Sequence, residues 1–241
     1  MFFVYLWSMM RKEEFRFKQF AVCQSQSAMK VGTDGVLLGA WCEVEGAKRV
    51  LDVGCGTGLV ALMVAQRNAD ATVDAIDIDD IAVDEANGNF SRSPWADRLS
   101  ASVADLADFG AGEYDTIVSN PPFFTEKVLS PDARRAAARQ VDSLPLEVLF
   151  RKSYELLSPV GSLSIITPYS IEKEVTFASG EANFWIAKKL VVRTTARKSP
   201  KRILWKFTKS DARCSEEELV LNAECGVRSA EYQALTDAFY L

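Results

Sequence analysis

Leu51-Asp52-Val53-Gly54-Cys55-Gly56-Thr57-Gly58 follows a short apolar run, Arg49 to Val53, and opens a helical pattern, Gly58 to Gln66. Glycines at a strand-to-helix junction let the backbone turn sharply and come close to a ligand, and the helix N-terminus beyond them is electropositive. A nucleotide-like cofactor is expected there. A dinucleotide site needs G-x-G-x-x-G, whereas Gly54, Gly56 and Gly58 give G-x-G-x-G, with Leu59 where the third dinucleotide glycine would stand. The spacing favours S-adenosylmethionine over NAD. Tight packing without a ligand is the structural alternative for such a turn taken alone.

Outward from this turn, apolar runs alternate with helical patterns as far as about Thr167, which predicts βαβ units around a parallel sheet. The expected strands are Arg49 to Val53, Thr72 to Asp77, Ser100 to Val103, Asp115 to Ser119 and Ser162 to Thr167. Helices are expected over Gly58 to Gln66, Ile81 to Asn89 and Leu144 to Leu157. Beyond Pro168, Leu190 to Thr194, Ile203 to Thr208 and Leu219 to Asn222 read as strands, the first two with no long helix between them, so an antiparallel edge is expected. The fold class is α/β, Rossmann-like. Ahead of the sheet, Thr33 or Asp34 is a candidate cap for a helix running through Val36 to Trp41.

Composition sets limits on the chemistry. The 241 residues are 48% hydrophobic and 25% charged, enough for one substantial core, and the formal charge of −5 argues against a surface wholly devoted to polyanions. Histidine is absent, which removes the commonest metal ligand and every Ser-His-Asp or Cys-His mechanism. The five cysteines include no C-x-x-C pair, so neither a disulfide framework nor a zinc ribbon is indicated, and a reducing compartment fits. Met1 to Met10 is apolar but lacks a basic leader, a cleavage site and the length to span a bilayer. The chain is expected to be a cytoplasmic monomer with no metal and no membrane partner. For the first ten residues, an extended start upstream of Met9 or Met10 and a strand-like arm both remain open.

A cofactor bound at the glycine turn needs an acid at the end of the next strand to accept from its ribose hydroxyls. Asp77, in Asp74-Ala75-Ile76-Asp77, stands there, with Asp79 as the alternative. Asp105, after the third strand, is a candidate acceptor for an adenine amine, or else a solvated loop acid. With Asp52, Gly54, Gly56 and Gly58 these form the candidate cofactor set.

Ser119-Asn120-Pro121-Pro122-Phe123-Phe124 comes directly after the fourth strand, at the edge where open α/β sheets bind ligands. An adenine amine is a poor nucleophile because its lone pair is delocalised into the ring. Asn120 offers a side-chain carbonyl and Pro121 a backbone carbonyl to hold that nitrogen, and the prolines fix the turn without a competing N–H. Phe123 supplies an aromatic face for an unpaired base. Asn120, Pro121, Pro122 and Phe123 are the candidate catalytic residues, and Asn120 also borders the cofactor. A buried corner is the alternative reading of the same residues.

With both signatures present, the chain resembles the class I N6-adenine methyltransferases, and within them the bacterial family that methylates adenine 37 of valine tRNA. The resemblance runs from about Phe15 to Leu241. It rests on Phe15 to Phe20, Met29 to Trp41, the glycine turn, Ser119 to Phe124 and Asp142-Ser143-Leu144-Pro145. It implies a seven-stranded, mostly parallel sheet and a division into residues 1–45, an N-terminal arm and cofactor-covering segment, and residues 46–241, the methyltransferase domain. It further implies that Lys30 to Gly35 closes over the methionine end of the cofactor, with Lys30, Gly32 and Thr33 nearest. Similar proteins tend to carry histidine near Cys23 or Gln24 and near Gln140, where this chain has none.

An RNA substrate needs a phosphate-binding face. Lys188 to Lys209 holds nine basic residues and no acidic one: Lys188, Lys189, Arg193, Arg197, Lys198, Lys201, Arg202, Lys206 and Lys209. Arg134, Arg135 and Arg139 are expected near the pocket, and Arg11, Lys12, Arg16 and Lys18 extend the surface. A solvated edge hairpin is the alternative. The rival functions are methylation of rRNA, methylation of a glutamine amide in a protein, and an RNA-binding module without catalysis. A dinucleotide oxidoreductase fails on the glycine spacing.

Overall fold

Val50, Leu51, Asp52 and Val53 are buried, as a central strand covered on both faces requires. The computed structural model describes residues 14–26, 30–110, 112–122, 144–223 and 226–241. Met1 to Met10, Arg11, Lys12, Met29, Phe123, Phe124, Arg134, Arg135, Arg139, Gln140, Asp142 and Ser143 lie outside them.

The described strands are β1 (Glu14–Arg16), β2 (Ala21–Cys23), β3 (Arg49–Val53), β4 (Thr72–Asp77), β5 (Leu99–Val103), β6 (Tyr114–Ser119), β7 (Leu157–Pro168), β8 (Trp185–Arg193), β9 (Arg202–Thr208) and β10 (Ser215–Val220). The helices are α1 (Thr33–Trp41), α2 (Leu59–Arg67), α3 (Asp80–Ser91), α4 (Leu146–Leu156), α5 (Glu172–Glu181) and α6 (Ala230–Thr236). Strands β3 to β10 form one sheet of eight in the order β10-β8-β9-β7-β6-β3-β4-β5. The pairs from β5 across to β7 are parallel, β9 runs antiparallel to both β7 and β8, and β10 pairs parallel with β8. Within it lies the expected mostly parallel seven-stranded sheet, with β10 added outside β8. The antiparallel character resides in one strand, β9, flanked on both sides.

The last strand is expected over Leu219 to Asn222, because Glu216-Glu217-Glu218 looks unlike a strand. The structure begins β10 at Ser215, for an electrostatic reason: the three acids meet basic residues that β8 presents on both faces of the sheet. Lys189 Nζ is 3.2 Å from Glu216, Lys188 Nζ 3.4 Å from Glu217, and Arg193 Nε 2.9 Å from Glu218. Opposite charges on adjacent strands are a favourable pairing.

Two apolar clusters lie on the two faces of the sheet. One joins Val36, Leu37 and Leu38 of α1, Leu59 to Ala65 of α2, and Ala86 and Phe90 of α3; the other joins Leu149 and Phe150 of α4, Val175 of α5, Trp205 and Phe207. Phe17, Phe20 and Val22 from the β1–β2 hairpin belong to the first cluster, together with Tyr232 and Phe239 near the C-terminus. The Lys18 N–H donates to Phe239 O at 2.8 Å, and the Phe17 and Tyr240 rings stack 5.9 Å apart. The β1–β2 hairpin is thereby built into the core.

Helix α1 differs from expectation at its start. Gly32 occupies the N-cap with no side-chain cap bond, so neither Thr33 nor Asp34 caps it. Asp34 instead accepts from Arg202 Nε at 2.7 Å, joining α1 to β9. Helix α1 lies close on α2 at Gly39, where a Cβ would stand 2.7 Å from Met63 Sδ and 2.9 Å from its Cβ. Gly39→Ala is therefore expected to destabilise the fold by about 1–3 kcal/mol, read as a lowered urea midpoint at unchanged m-value.

Candidate active site

Because β3, β4, β5 and β6 are parallel neighbours, the segments that follow them all emerge at one edge of the sheet. The glycine turn follows β3, Asp77 ends β4, Asp105 follows β5, and Asn120 follows β6. Consecutive order in the chain reverses between β3 and β6, the place where such sheets open a crevice. Ser119, fully buried at the end of β6, donates its hydroxyl to Val53 O at 2.8 Å. That bond ties the Asn-Pro-Pro stretch to the start of the glycine turn. Ser119 heads the stretch quoted from sequence but is not among the candidate catalytic or cofactor residues; a small hydroxyl at the last buried position of a strand is the available signal for its bond.

Gly54, Gly56 and Gly58 have φ of 71°, 52° and 78°, a region that side-chain-bearing residues rarely adopt. A Cβ on Gly54 or Gly56 would meet nothing within 4 Å, whereas one on Gly58 would fall 2.5 Å from the Phe90 ring. The first two glycines thus expose bare backbone to the crevice, and the third seats the turn on α3. Gly54 and Cys55 N–H groups both donate to Ile76 O, at 2.8 and 3.1 Å.

Asp77 is half-buried beside this turn. One carboxylate oxygen accepts from Gly56 N at 2.8 Å and the other from Asp79 N at 3.1 Å. Asp79 is occupied as the N-cap of α3, accepting from Ile81 N at 3.0 Å. Asp52 is interior, 1% exposed, and accepts from Ala61 N at 3.1 Å, so it holds the first turn of α2. Burial pushes its carboxyl up to about 7, opposed by the Ala61 N–H and reinforced by the nearby Asp77 charge. Asp105 is exposed and accepts from Ala107 N at 2.8 Å, which shapes the turn after β5. The Cys55 thiol is raised by burial, so it is no nucleophile at neutral pH.

Over the turn passes α1. A Cβ on Gly35 would lie 3.1 Å from Leu59 Cδ2 and 4.0 Å from Asn120 Nδ2, so α1 reaches both signature stretches through a residue without a side chain. Gly32 and Thr33, at its exposed start, lie at the same side, and the Lys30 ammonium donates to Gln24 O. Pro121 is buried and Pro122 half-buried. Bare backbone at two left-handed glycines, a carboxylate at the end of β4 and a covering helix fit S-adenosylmethionine. Among the described residues no cluster of His, Cys, Asp or Glu could hold a metal ion, and no helix is long and apolar enough to cross a membrane.

The basic run divides. Lys188, Lys189 and Arg202 are engaged by carboxylates within the fold, the last two by Glu172 and Glu216 and by Asp34 respectively, while Lys206 pairs with Glu43. Arg197, Lys198 and Lys201 sit in the β8–β9 turn. Since β8 runs in the direction of β7, this turn lies at the sheet edge that carries the glycine turn and Asn120.

The fold and the site define a methyltransferase: the family model described as methyltransferase small domain matches residues 17–179. The chain is 43% identical over 229 residues to the tRNA1(Val) (adenine(37)-N6)-methyltransferase of Bacteroides thetaiotaomicron, covering 94% of this chain and 97% of the relative. It is 39% identical over 228 residues to the enzyme of the same name from Tolumonas auensis, with 94% and 96% covered. Among solved structures, a predicted O-methyltransferase of Agrobacterium tumefaciens shares the fold at a TM-score of 0.69 and 17% identity, covering 86% of this chain and 96% of that one. The chain belongs to the methyltransferase small domain family and, within it, to the same family as these two relatives.

The raised Asp52 carboxyl has a consequence for stability. The folded chain holds a proton there between the ordinary aspartate value near 3.8 and about 7 that the unfolded chain releases. This contribution is present below pH 4 and is lost as pH rises through 7. Asp52→Asn keeps an acceptor for Ala61 N and removes the titration. It should flatten the decline in unfolding free energy between pH 4 and 7 by up to about 1.4 kcal/mol per pH unit, measured by urea denaturation across that range.

Proposed function

We propose that this chain transfers the methyl group of S-adenosylmethionine to the exocyclic N6 of an adenine in tRNA, at adenine 37 of valine tRNA, acting as a cytoplasmic monomer. The observation that carries this reading is the Asn120-Pro121-Pro122 stretch, held by the Ser119–Val53 bond beside a left-handed glycine turn. The relatives' names support the base, the position and the tRNA.

Bound S-adenosylmethionine supplies an electrophilic methyl group on a sulfonium. Asn120 Oδ1 and the Pro121 carbonyl accept the two amine hydrogens, which favours a pyramidal nitrogen whose lone pair points at the methyl group. Pro121 and Pro122 fix this pair of acceptors in advance, so orientation supplies most of the acceleration. Phe123 and Arg134, Arg135 and Arg139 complete the proposal as base-stacking and phosphate-binding groups. The methylated amine loses its surplus proton to water without an imidazole, in keeping with a chain that has no histidine.

RNA binding centres in this reading on Lys198 and Lys201, with Arg197 beside them, because the β8–β9 turn that carries them lies at the sheet edge of the pocket. Neutralisation of phosphates by such cations makes affinity depend on salt.

Methyl transfer from labelled S-adenosylmethionine to unmodified total tRNA, with nucleoside mapping, tests the substrate. N6-methyladenosine beside the valine anticodon is expected; label in rRNA or in protein, with none in tRNA, would overturn it. Asn120→Ala should abolish turnover with cofactor affinity nearly intact, and full activity in that variant would overturn the mechanism. Replacing Lys198 and Lys201 with glutamate should weaken tRNA binding and reduce the slope of log affinity against log salt by about one for each phosphate no longer neutralised, in a filter-binding titration.

A further inference from the structure

Asn89, on α3, lies outside both signature stretches and has no part in the chemistry described above. It is fully buried. Its amide pairs edge-on with the backbone of Cys23 at the end of β2: Cys23 N donates to Asn89 Oδ1 at 2.8 Å, and Asn89 Nδ2 donates to Cys23 O at 3.0 Å. The second Nδ2 hydrogen goes to Thr57 O, inside the glycine turn, at 2.8 Å, and Arg92 Nη2 donates to Oδ1 at 2.7 Å. Two donors and two acceptor positions are all the hydrogen-bonding capacity an amide has, and each is used. No other side chain type of this size could make the four bonds at once.

One turn earlier on the same helix face, Glu85 Oε1 accepts from Ser25 N at 2.6 Å, Ser25 Oγ at 3.1 Å and Gln26 N at 3.1 Å. Between them, Gln24 turns inward: its Oε1 accepts from Val31 N at 2.7 Å, and its carbonyl accepts from Lys30. Val31 directly precedes Gly32, the N-cap of α1. A continuous chain of bonds thus runs from the Thr57 carbonyl, through Asn89 and Cys23, to Gln24 and the start of α1. Its two ends are the two backbone stretches between which the cofactor is proposed to lie.

We propose that Asn89 is a positioning residue for the cofactor site, holding the glycine turn and the approach to α1 at a fixed separation, with Glu85 and Gln24 extending the same device. It rests on the methyltransferase reading above. The peptide between Thr57 and Gly58 is oriented at its carbonyl by Asn89, while the amide of Gly56 is oriented by Asp77. Removing the first leaves a buried carbonyl without its donor and lets the turn rotate away from the geometry the ligand requires.

The test is calorimetric titration of the full chain with S-adenosylhomocysteine, a readout that needs no RNA, beside the thermal midpoint of each variant. Asn89→Ala is expected to raise Kd by about tenfold or more, and Gln24→Ala and Glu85→Ala by about threefold to tenfold, the last two at a thermal midpoint close to that of the unsubstituted chain. Glu85→Gln, which keeps an acceptor, should recover most of the affinity. In steady state the loss should fall on KM for S-adenosylmethionine with kcat little changed. If Asn89→Ala does not fold, the Gln24 and Glu85 variants decide alone. Native affinity in every folded variant, or a fall in thermal midpoint with Kd unchanged, would overturn the positioning role. Absence of binding by the unsubstituted chain would instead overturn the methyltransferase reading, and this inference with it.

Discussion

At the end of β3 the backbone enters the left-handed region three times in five residues, at Gly54, Gly56 and Gly58. Such a path is strained for any other residue type and flexible when left to glycine, so it needs restraint from its surroundings. The restraint comes from four directions. Ile76 O takes two N–H groups of the turn, Asp77 takes a third, Phe90 fills the space under Gly58, and Asp52 holds the helix that follows. Because β4 and α3 supply three of these groups, the turn is shaped by the unit that follows it in the chain. The Ser119 hydroxyl then places the Asn-Pro-Pro stretch relative to the same turn. The glycine turn and the Asn-Pro-Pro stretch are therefore parts of one bonded assembly at the switch point of the sheet.

The distribution of charge obeys a second constraint. The run from Lys188 to Lys209 carries no acid of its own, and in isolation it reads as a polyanion-binding surface. Acids from elsewhere in the chain meet it: Glu216, Glu217 and Glu218 from β10, Glu172 from α5, Asp34 from α1 and Glu43 from the loop after it. Exposed pairs of this kind add little stability each, but a ladder of them fixes which strand pairs with which. The β8–β9 turn, with Lys198 and Lys201, is the part of the run that lies at the sheet edge carrying the glycine turn. In the proposed reading, a small cationic surface beside the pocket would fix registry on the substrate, where a broad one would give unselective affinity.

Much of the sheet is legible in the sequence because parallel strands buried on both faces leave an unbroken apolar signal. β3 and β4 fall at the residues expected, Arg49–Val53 and Thr72–Asp77, and the ends of β6 and α2 differ by a single position. The early part of β7, from Leu157, is hidden because Ser158-Pro159-Val160-Gly161 looks like a turn; it pairs through Tyr114 before the sheet regularises. Helices α5 and α6 carry few apolar positions and escape detection for that reason. Of the candidate site, the placement of the glycines, Asp77 and Asn120 at one sheet edge is readable since backbone conformation and local order dictate it. Asn89, Glu85 and Ser119 are not, because their roles depend on bonds between segments from 32 to 66 residues apart, which periodicity does not encode.

The two acids of the turn illustrate how environment divides labour between like groups. Asp52 and Asp77 are close enough for the Asp77 charge to oppose ionisation of Asp52, and burial disfavours the Asp52 carboxylate further. With Asp52 holding its proton over much of the range below neutrality, only one full negative charge needs to be accommodated beside the glycines. That charge is placed where it is partly solvated, on Asp77. Each Asp77 oxygen accepts one backbone N–H, from Gly56 and from Asp79, and a carboxylate oxygen has room for about two donors. One acceptor position on each oxygen is thus left for a further hydrogen bond, the number that two neighbouring ribose hydroxyls require. A second ionised acid below the turn would strengthen repulsion without adding an acceptor at the surface, so the interior carboxyl serves the scaffold and the half-buried one is left with acceptor positions for a ligand.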